Sequence, residues 1–105
     1  LHEGFAQVAE GRPRADARQV LARAPAPPLA RLTRSFAGET DPAQARILYA
    51  AACDLVHDLL GRGGAPLLAD LLDRLRRGDA LDAAARGVYG LTLDELDAAW
   101  RASLR

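Results

Sequence analysis

Lysine and methionine are absent from this chain, and cysteine occurs once. The lone Cys53 excludes an internal disulfide and any zinc finger built on cysteines. All 14 basic residues are arginine and alanine is very frequent, a pattern read as coding-composition bias rather than as a binding feature. Long apolar runs are missing too. None approaches the ~18 residues a membrane helix needs, and no signal-peptide pattern is present. An excess of either charge is also lacking, since 14 acidic residues balance the 14 basic ones. That balance gives no reason to expect nucleic acid or an anionic membrane as partner. Strands are not expected either, because no alternating pattern of useful length occurs. The missing methionine, and an opening already inside a helix-like pattern, predict a fragment or processed product.

What remains is an ordinary globular composition, 50% hydrophobic and 27% charged over 105 residues, enough for one domain with a modest core. The opening stretch, Leu1 to Gly11, predicts a short amphipathic helix. Leu1, Phe5 and Val8 recur at i, i+4 and i+7 as an apolar stripe, with Glu3, Gln7 and Glu10 roughly opposite. On a truncated first helix this stripe is expected to be exposed and to favour self-association or a partner. Gly4 costs such a helix about 1 kcal/mol relative to alanine. Close approach of another backbone, or of a ligand beside Glu3, is a reason to keep it.

Arg12-Pro13 ends this helix, because the residue before proline disfavours helical geometry. A second helix is expected over 15–24, with Val20 and Leu21 inward and Arg18 and Arg23 outward. Pro25, Pro27 and Pro28 make a stiff connector. Leu29 and Leu32 then form one apolar turn, and Phe36 plugs the core. Asp41-Pro42-Ala43-Gln44 is a helix start, with an N-cap aspartate, proline at the first turn and Gln44 three residues after the cap. A long central helix is expected over about 42–60, with Leu48, Ala52, Leu55, Val56 and Leu59 on its apolar face.

Pro66 to Arg77 reads as another amphipathic helix, with Asp70/Arg74 and Asp73/Arg77 as i, i+4 pairs. Arg74, Arg76 and Arg77 close it and complement its dipole. A short helix is expected from Gly78-Asp79 through Ala85, closed by Gly87. Thr92-Leu93-Asp94-Glu95 is a capping box opening the last helix, lined inside by Leu93, Leu96, Trp100 and Leu104. The expected fold is all-α: a small bundle of five to seven amphipathic helices around the long one, in a single domain over 1–105.

Leu1-His2-Glu3-Gly4-Phe5-Ala6-Gln7 resembles the Glu-Gly-x-Ala segment of gluzincin metallopeptidases of the kind called peptidase MA-like. The resemblance continues through Leu29-Ala30-Arg31-Leu32-Thr33-Arg34-Ser35-Phe36 and the early tyrosine of the long helix, Leu48-Tyr49-Ala50. It ends on Gly90-Leu91-Thr92-Leu93-Asp94-Glu95-Leu96-Asp97-Ala98-Ala99-Trp100, and so covers nearly the whole chain. By that resemblance the parent is a zinc peptidase and Glu3 its third zinc ligand. Two histidines and the general-base glutamate would come from an upstream His-Glu-x-x-His helix. Two imidazoles and a carboxylate leave one coordination position for water. Tyr49 would face the cleft and steady the oxyanion.

The chain departs from the pattern in two ways. Val8 stands where the family often has an aromatic, and His-Glu-x-x-His is missing, since Ala6 follows His2-Glu3 where a second histidine would fall. The partners implied are the upstream catalytic half and a peptide substrate, and this chain alone should be inert.

Each candidate has a plainer alternative. Glu3 could be an exposed helix carboxylate, and Tyr49 a buried core tyrosine with a satisfied hydroxyl. Cys53 and His57 share a helical turn as a nucleophilic pair would, yet no orienting acid or oxyanion hole is evident, and Asp54 and Asp58 read as solvation partners of His57. His2 reads as a surface residue near the cleft. The competing account of the whole is a small all-α interaction module without metal. A nucleic-acid role for the last helix is disfavoured by Asp94, Glu95 and Asp97, which repel phosphate.

Overall fold

The computed structural model describes residues 1–34 and 36–104, with only the backbone of His2 and Glu3. Ser35 of the Leu-x-x-Leu-x-x-Ser-Phe segment lies outside the described residues. The chain is all-α. Its described residues form seven helices and no strand: α1 (His2–Ala9), α2 (Arg14–Leu21), α3 (Leu29–Leu32), α4 (Pro42–Gly61), α5 (Gly64–Arg76), α6 (Leu81–Tyr89) and α7 (Leu93–Ser103). None is long and apolar enough to cross a membrane. Two compact units are distinguished, residues 1–57 with Leu104 and residues 58–103, and α4 continues through the division.

In the first unit α4 starts where its capping residues require. The Asp41 carboxylate accepts the Ala43 N–H at 3.0 Å, and the Asp41 N–H donates to Glu39 Oε1 at 3.0 Å. Glu39, from the loop before the helix, thus takes the reciprocal role expected of Gln44. Leu48, Ala51, Ala52, Leu55 and Val56 of α4 are fully buried, as are Leu29 and Leu32 of α3 and Phe36 beyond it.

Helix α1 lies in backbone contact with α4. A Cβ placed on Gly4 would fall well inside contact distance of the Ala52 carbonyl and 3.0 Å from Val56 Cγ2. The tolerance for glycine inferred from sequence therefore has its cause in a close backbone approach. The expected stripe is split by this seating. Leu1 is buried, its nitrogen 2.6 Å from the Leu32 carbonyl, whereas Phe5 is 45% exposed.

In the second unit α5 begins at Gly64, two residues before Pro66, consistent with proline being tolerated in a first helical turn, where its missing N–H has no intrahelical partner. Helix α6 differs more from expectation. It runs Leu81–Tyr89, passes through Gly87 and stops at Gly90, whose φ of 71° is left-handed. That conformation is inexpensive only for glycine, so Gly90 and not Gly87 terminates the helix. Gly87 instead faces α5, where the Arg74 guanidinium lies in the space a Cβ would fill.

Helix α7 opens on the anticipated capping box. Thr92 Oγ1 accepts the Glu95 N–H at 3.1 Å and Glu95 Oε1 accepts the Thr92 N–H at 3.0 Å. The Leu93 N–H donates to Asp82 Oδ1 at 2.8 Å, which ties the starts of α6 and α7 together. Leu59, Leu68, Leu71, Ala84, Ala85, Leu96 and Trp100 are buried.

Candidate functional site: a cavity along α1, α2 and α4

Three helices of the first unit line an open cavity of about 600 Å³. Helix α1 and its cap contribute Ala6, Gln7 and Glu10; Ala17 and Val20 of α2 and Ala50 and Cys53 of α4 form an apolar floor. Around the opening stand Arg12, Asp16, Arg46 and Tyr49. Arg46, Tyr49, Ala50 and Cys53 recur at i, i+3, i+4 and i+7, which sets them on one face of α4. Ala17, Ala50 and Cys53 are small, which leaves space between α2 and α4, and they pack with Val8, Val20 and Leu21.

Polar contacts between distant parts of the sequence hold these walls. Gln7 Nε2 donates to the Tyr49 carbonyl at 2.8 Å. Arg14 grips the Asp54 carboxylate through Nε at 2.8 Å and Nη2 at 3.4 Å, and Arg18 Nε adds a bond to the same carboxylate at 3.1 Å. Asp54 is fully buried, so two cations share one desolvated carboxylate and pin α2 to α4. His57 Nε2 lies 3.2 Å from the Arg12 carbonyl, which ties down the α1–α2 turn.

The structure thus revises the assigned role of Asp54. It is no solvation partner of His57 but the buried anchor of Arg14 and Arg18, and Asp58 for its part accepts Arg62 Nε at 2.8 Å. Arg18, expected to face outward, points its Nε at Asp54. The one signal in the sequence was the i, i+4 spacing of Arg14 and Arg18, which gives two cations a common face.

Tyr49 is 42% exposed, so the alternative of a buried core tyrosine does not hold. Its ring meets Phe36 edge-on at 5.2 Å, and Arg31 lies 5.4 Å from the Phe36 centroid. The phenol therefore stands at the cavity on a ring braced from behind. Glu3 belongs to α1 by its backbone, while its side chain and that of His2 lie outside the described residues. Gln7, one helical turn beyond Glu3, reaches the cavity.

Cys53 and His57 do not form a reactive pair. Burial first, and the Asp54 charge second, push the Cys53 thiol up from its ordinary value, away from the thiolate a nucleophile needs. His57 is directed at a carbonyl instead. Among the described residues no three His, Cys, Asp or Glu side chains gather as a metal site. Arg74 bonds Asp70 Oδ1 at 3.1 Å, and Arg76 and Arg77 both bond Asp73. Compared with protein families, with curated proteins and with solved structures, this chain matches none of them.

Proposed function

We propose that this chain is the C-terminal helical part of a gluzincin-type zinc peptidase, supplying the third zinc ligand and one wall of the cleft. Glu3 is the ligand, and the upstream half brings two histidines and the general-base glutamate. A carboxylate joining two imidazoles is a chemically apt donor set for zinc, and one carboxylate from this chain is insufficient alone. When bound, the metal supplies Lewis-acid polarisation of the scissile carbonyl.

The residues of this chain act around it. Tyr49 offers a hydroxyl to the oxyanion, the cavity walls orient the peptide, and the exposed ring of Phe5 is surface for the upstream half to cover. The observation that carries the reading is the seating of Gly4 on the Ala52 carbonyl. It keeps α1, which bears Glu3, in backbone contact with α4, which bears Tyr49.

Calorimetric titration of zinc into this chain joined to its native upstream segment, beside the Glu3→Ala variant, tests the reading. Tight binding that Glu3→Ala weakens markedly is the expected result. Binding indifferent to Glu3, or none, leaves a small all-α interaction module as the better account.

A further inference from the structure

We infer that the cavity of the first unit is a binding site for a short zwitterionic peptide with apolar side chains, in which Arg46 receives the peptide carboxylate. As the substrate subsite of the proposed peptidase it rests on that reading, but its binding chemistry needs neither zinc nor the upstream half. Its volume of about 600 Å³ is in the range of small-ligand sites, which run from roughly 300 to 1,000 Å³. An apolar floor with a few polar groups at the edge is also how such sites are built.

The charges at the edge select the occupant. In this chain arginines are mostly engaged: Arg14 and Arg18 on Asp54, Arg62 on Asp58, Arg74 on Asp70, Arg86 on Asp82 and Arg101 on Asp97. Arg46 has no ion-pair or hydrogen-bond partner among the described residues, although it lines this cavity and a second one beside it. A guanidinium left without a carboxylate at the mouth of an apolar pocket matches a planar carboxylate brought by a ligand. Glu10 and Asp16, also at the edge, supply the opposite charge for an ammonium group. A fully anionic ligand would be repelled by those two acids and a fully cationic one by Arg12 and Arg46. A zwitterion with an apolar body satisfies both signs while covering Val20, Ala50 and Cys53.

Cys53 provides an internal reporter, because it is the single cysteine of the chain and part of the cavity floor. The test is titration of the zinc-free chain with leucyl-leucine and with N-acetyl-leucyl-leucine amide, read by calorimetry and by the rate of Cys53 alkylation. The free dipeptide should bind about tenfold more tightly than its blocked form, the scale of one charge-assisted contact, and should slow alkylation. Arg46→Gln, at an exposed position, should keep the helical circular dichroism spectrum, weaken dipeptide binding about tenfold and remove the preference for a free carboxylate. No binding, equal binding by Arg46→Gln, or binding that leaves Cys53 alkylation unchanged would each overturn the assignment. Zinc binding that depends on Glu3 with no dipeptide binding sinks this inference alone, and the reverse result sinks the peptidase reading alone.

Discussion

Two glycines, both inside helices and both facing another helix, separate the two halves of this chain. Gly4 in α1 meets the carbonyl oxygen of Ala52, whereas Gly87 in α6 meets the end of the Arg74 side chain. Backbone cannot yield without moving a whole helix, but a guanidinium can swing aside. The contrast extends to the regions around them. In residues 1–57 the organising polar contacts join positions 31 to 45 apart in sequence. In residues 58–103 the pairs Asp58–Arg62, Asp70–Arg74, Asp73–Arg76, Asp73–Arg77, Asp82–Arg86 and Asp97–Arg101 are i, i+3 or i, i+4 neighbours. The first region is held by long-range tethers and carries the cavity; the second has local ion pairs and helix caps, with the Leu93–Asp82 bond between neighbouring helices the longest reach among those described above. Long-range tethers fix walls around a space, while local pairs only reinforce helices that apolar packing has already placed.

The largest expected effect follows from cutting the principal tether. Asp54→Ala leaves Arg14 and Arg18 without their shared carboxylate, and a loss of about 3 kcal/mol is expected, toward the lower end for broken buried pairs because both arginines are partly exposed. Urea unfolding measures it, and a loss below about 1 kcal/mol, the scale of a surface pair, would show that the tether is not what holds α2. Gly4→Ala comes next, at about 1–3 kcal/mol, because the new methyl overpacks against backbone. It should also weaken Gln7's hold on the Tyr49 carbonyl and so change the cavity.

Thr92→Ala, which removes a helix cap in the second region, should cost about 1 kcal/mol. The same box predicts acid sensitivity. Its backbone and hydroxyl bonds to Thr92 hold the Glu95 carboxyl below its ordinary value. Its stabilising contribution is therefore present above the usual carboxylate range and disappears as pH falls through the lowered value. Thr92→Ala should flatten that part of the acid unfolding curve.

Gly87→Ala is expected to change stability by less than about 1 kcal/mol, since displacement of Arg74 offsets the gain in helix propensity. Equal losses for Gly4→Ala and Gly87→Ala would erase the distinction between the halves.

The smallest effect at neutral pH concerns Tyr89. Its buried hydroxyl has no hydrogen-bond partner among the described residues. Burial first, then the Asp58 charge, push its pKa up to about 12. The raised value favours the protonated form, so its contribution is complete below the ordinary tyrosine range and is lost as pH rises through about 12. Tyr89→Phe should raise neutral stability slightly, because it removes a buried hydroxyl whose desolvation no partner offsets. It should also remove the latest phenolate step from the alkaline absorbance titration.

How far the sequence could be read follows the same division. The cap at Asp41, the capping box at Thr92 and the Asp–Arg pairs of α5 could be read directly, because each depends on residues within four positions of one another. Where reading failed locally, a distant residue decided. Gly87 resembled a terminator, yet Arg74 covers it and the helix continues to Gly90. Asp54 resembled a companion of His57, yet its partners lie 36 and 40 positions away. For the candidate site, sequence placed Glu3 on the first helix and Tyr49 on the long one, while the cavity and the place of Arg46 in its wall could not be seen without the fold.

The sequence by itself determined most of the helices, the caps at Asp41 and Thr92, and that a glycine at position 4 wants a close neighbour, because short-range hydrogen bonding, proline and glycine geometry and apolar periodicity act within one or two turns. Only the tertiary structure decided what Gly4 touches, which carboxylate Arg14 and Arg18 share, that Tyr49 is exposed, and that Arg46 lines a cavity without a partner among the described residues. Those outcomes depend on which helix faces lie opposite each other, a relation set by packing of the whole unit and written in no single stretch of the chain.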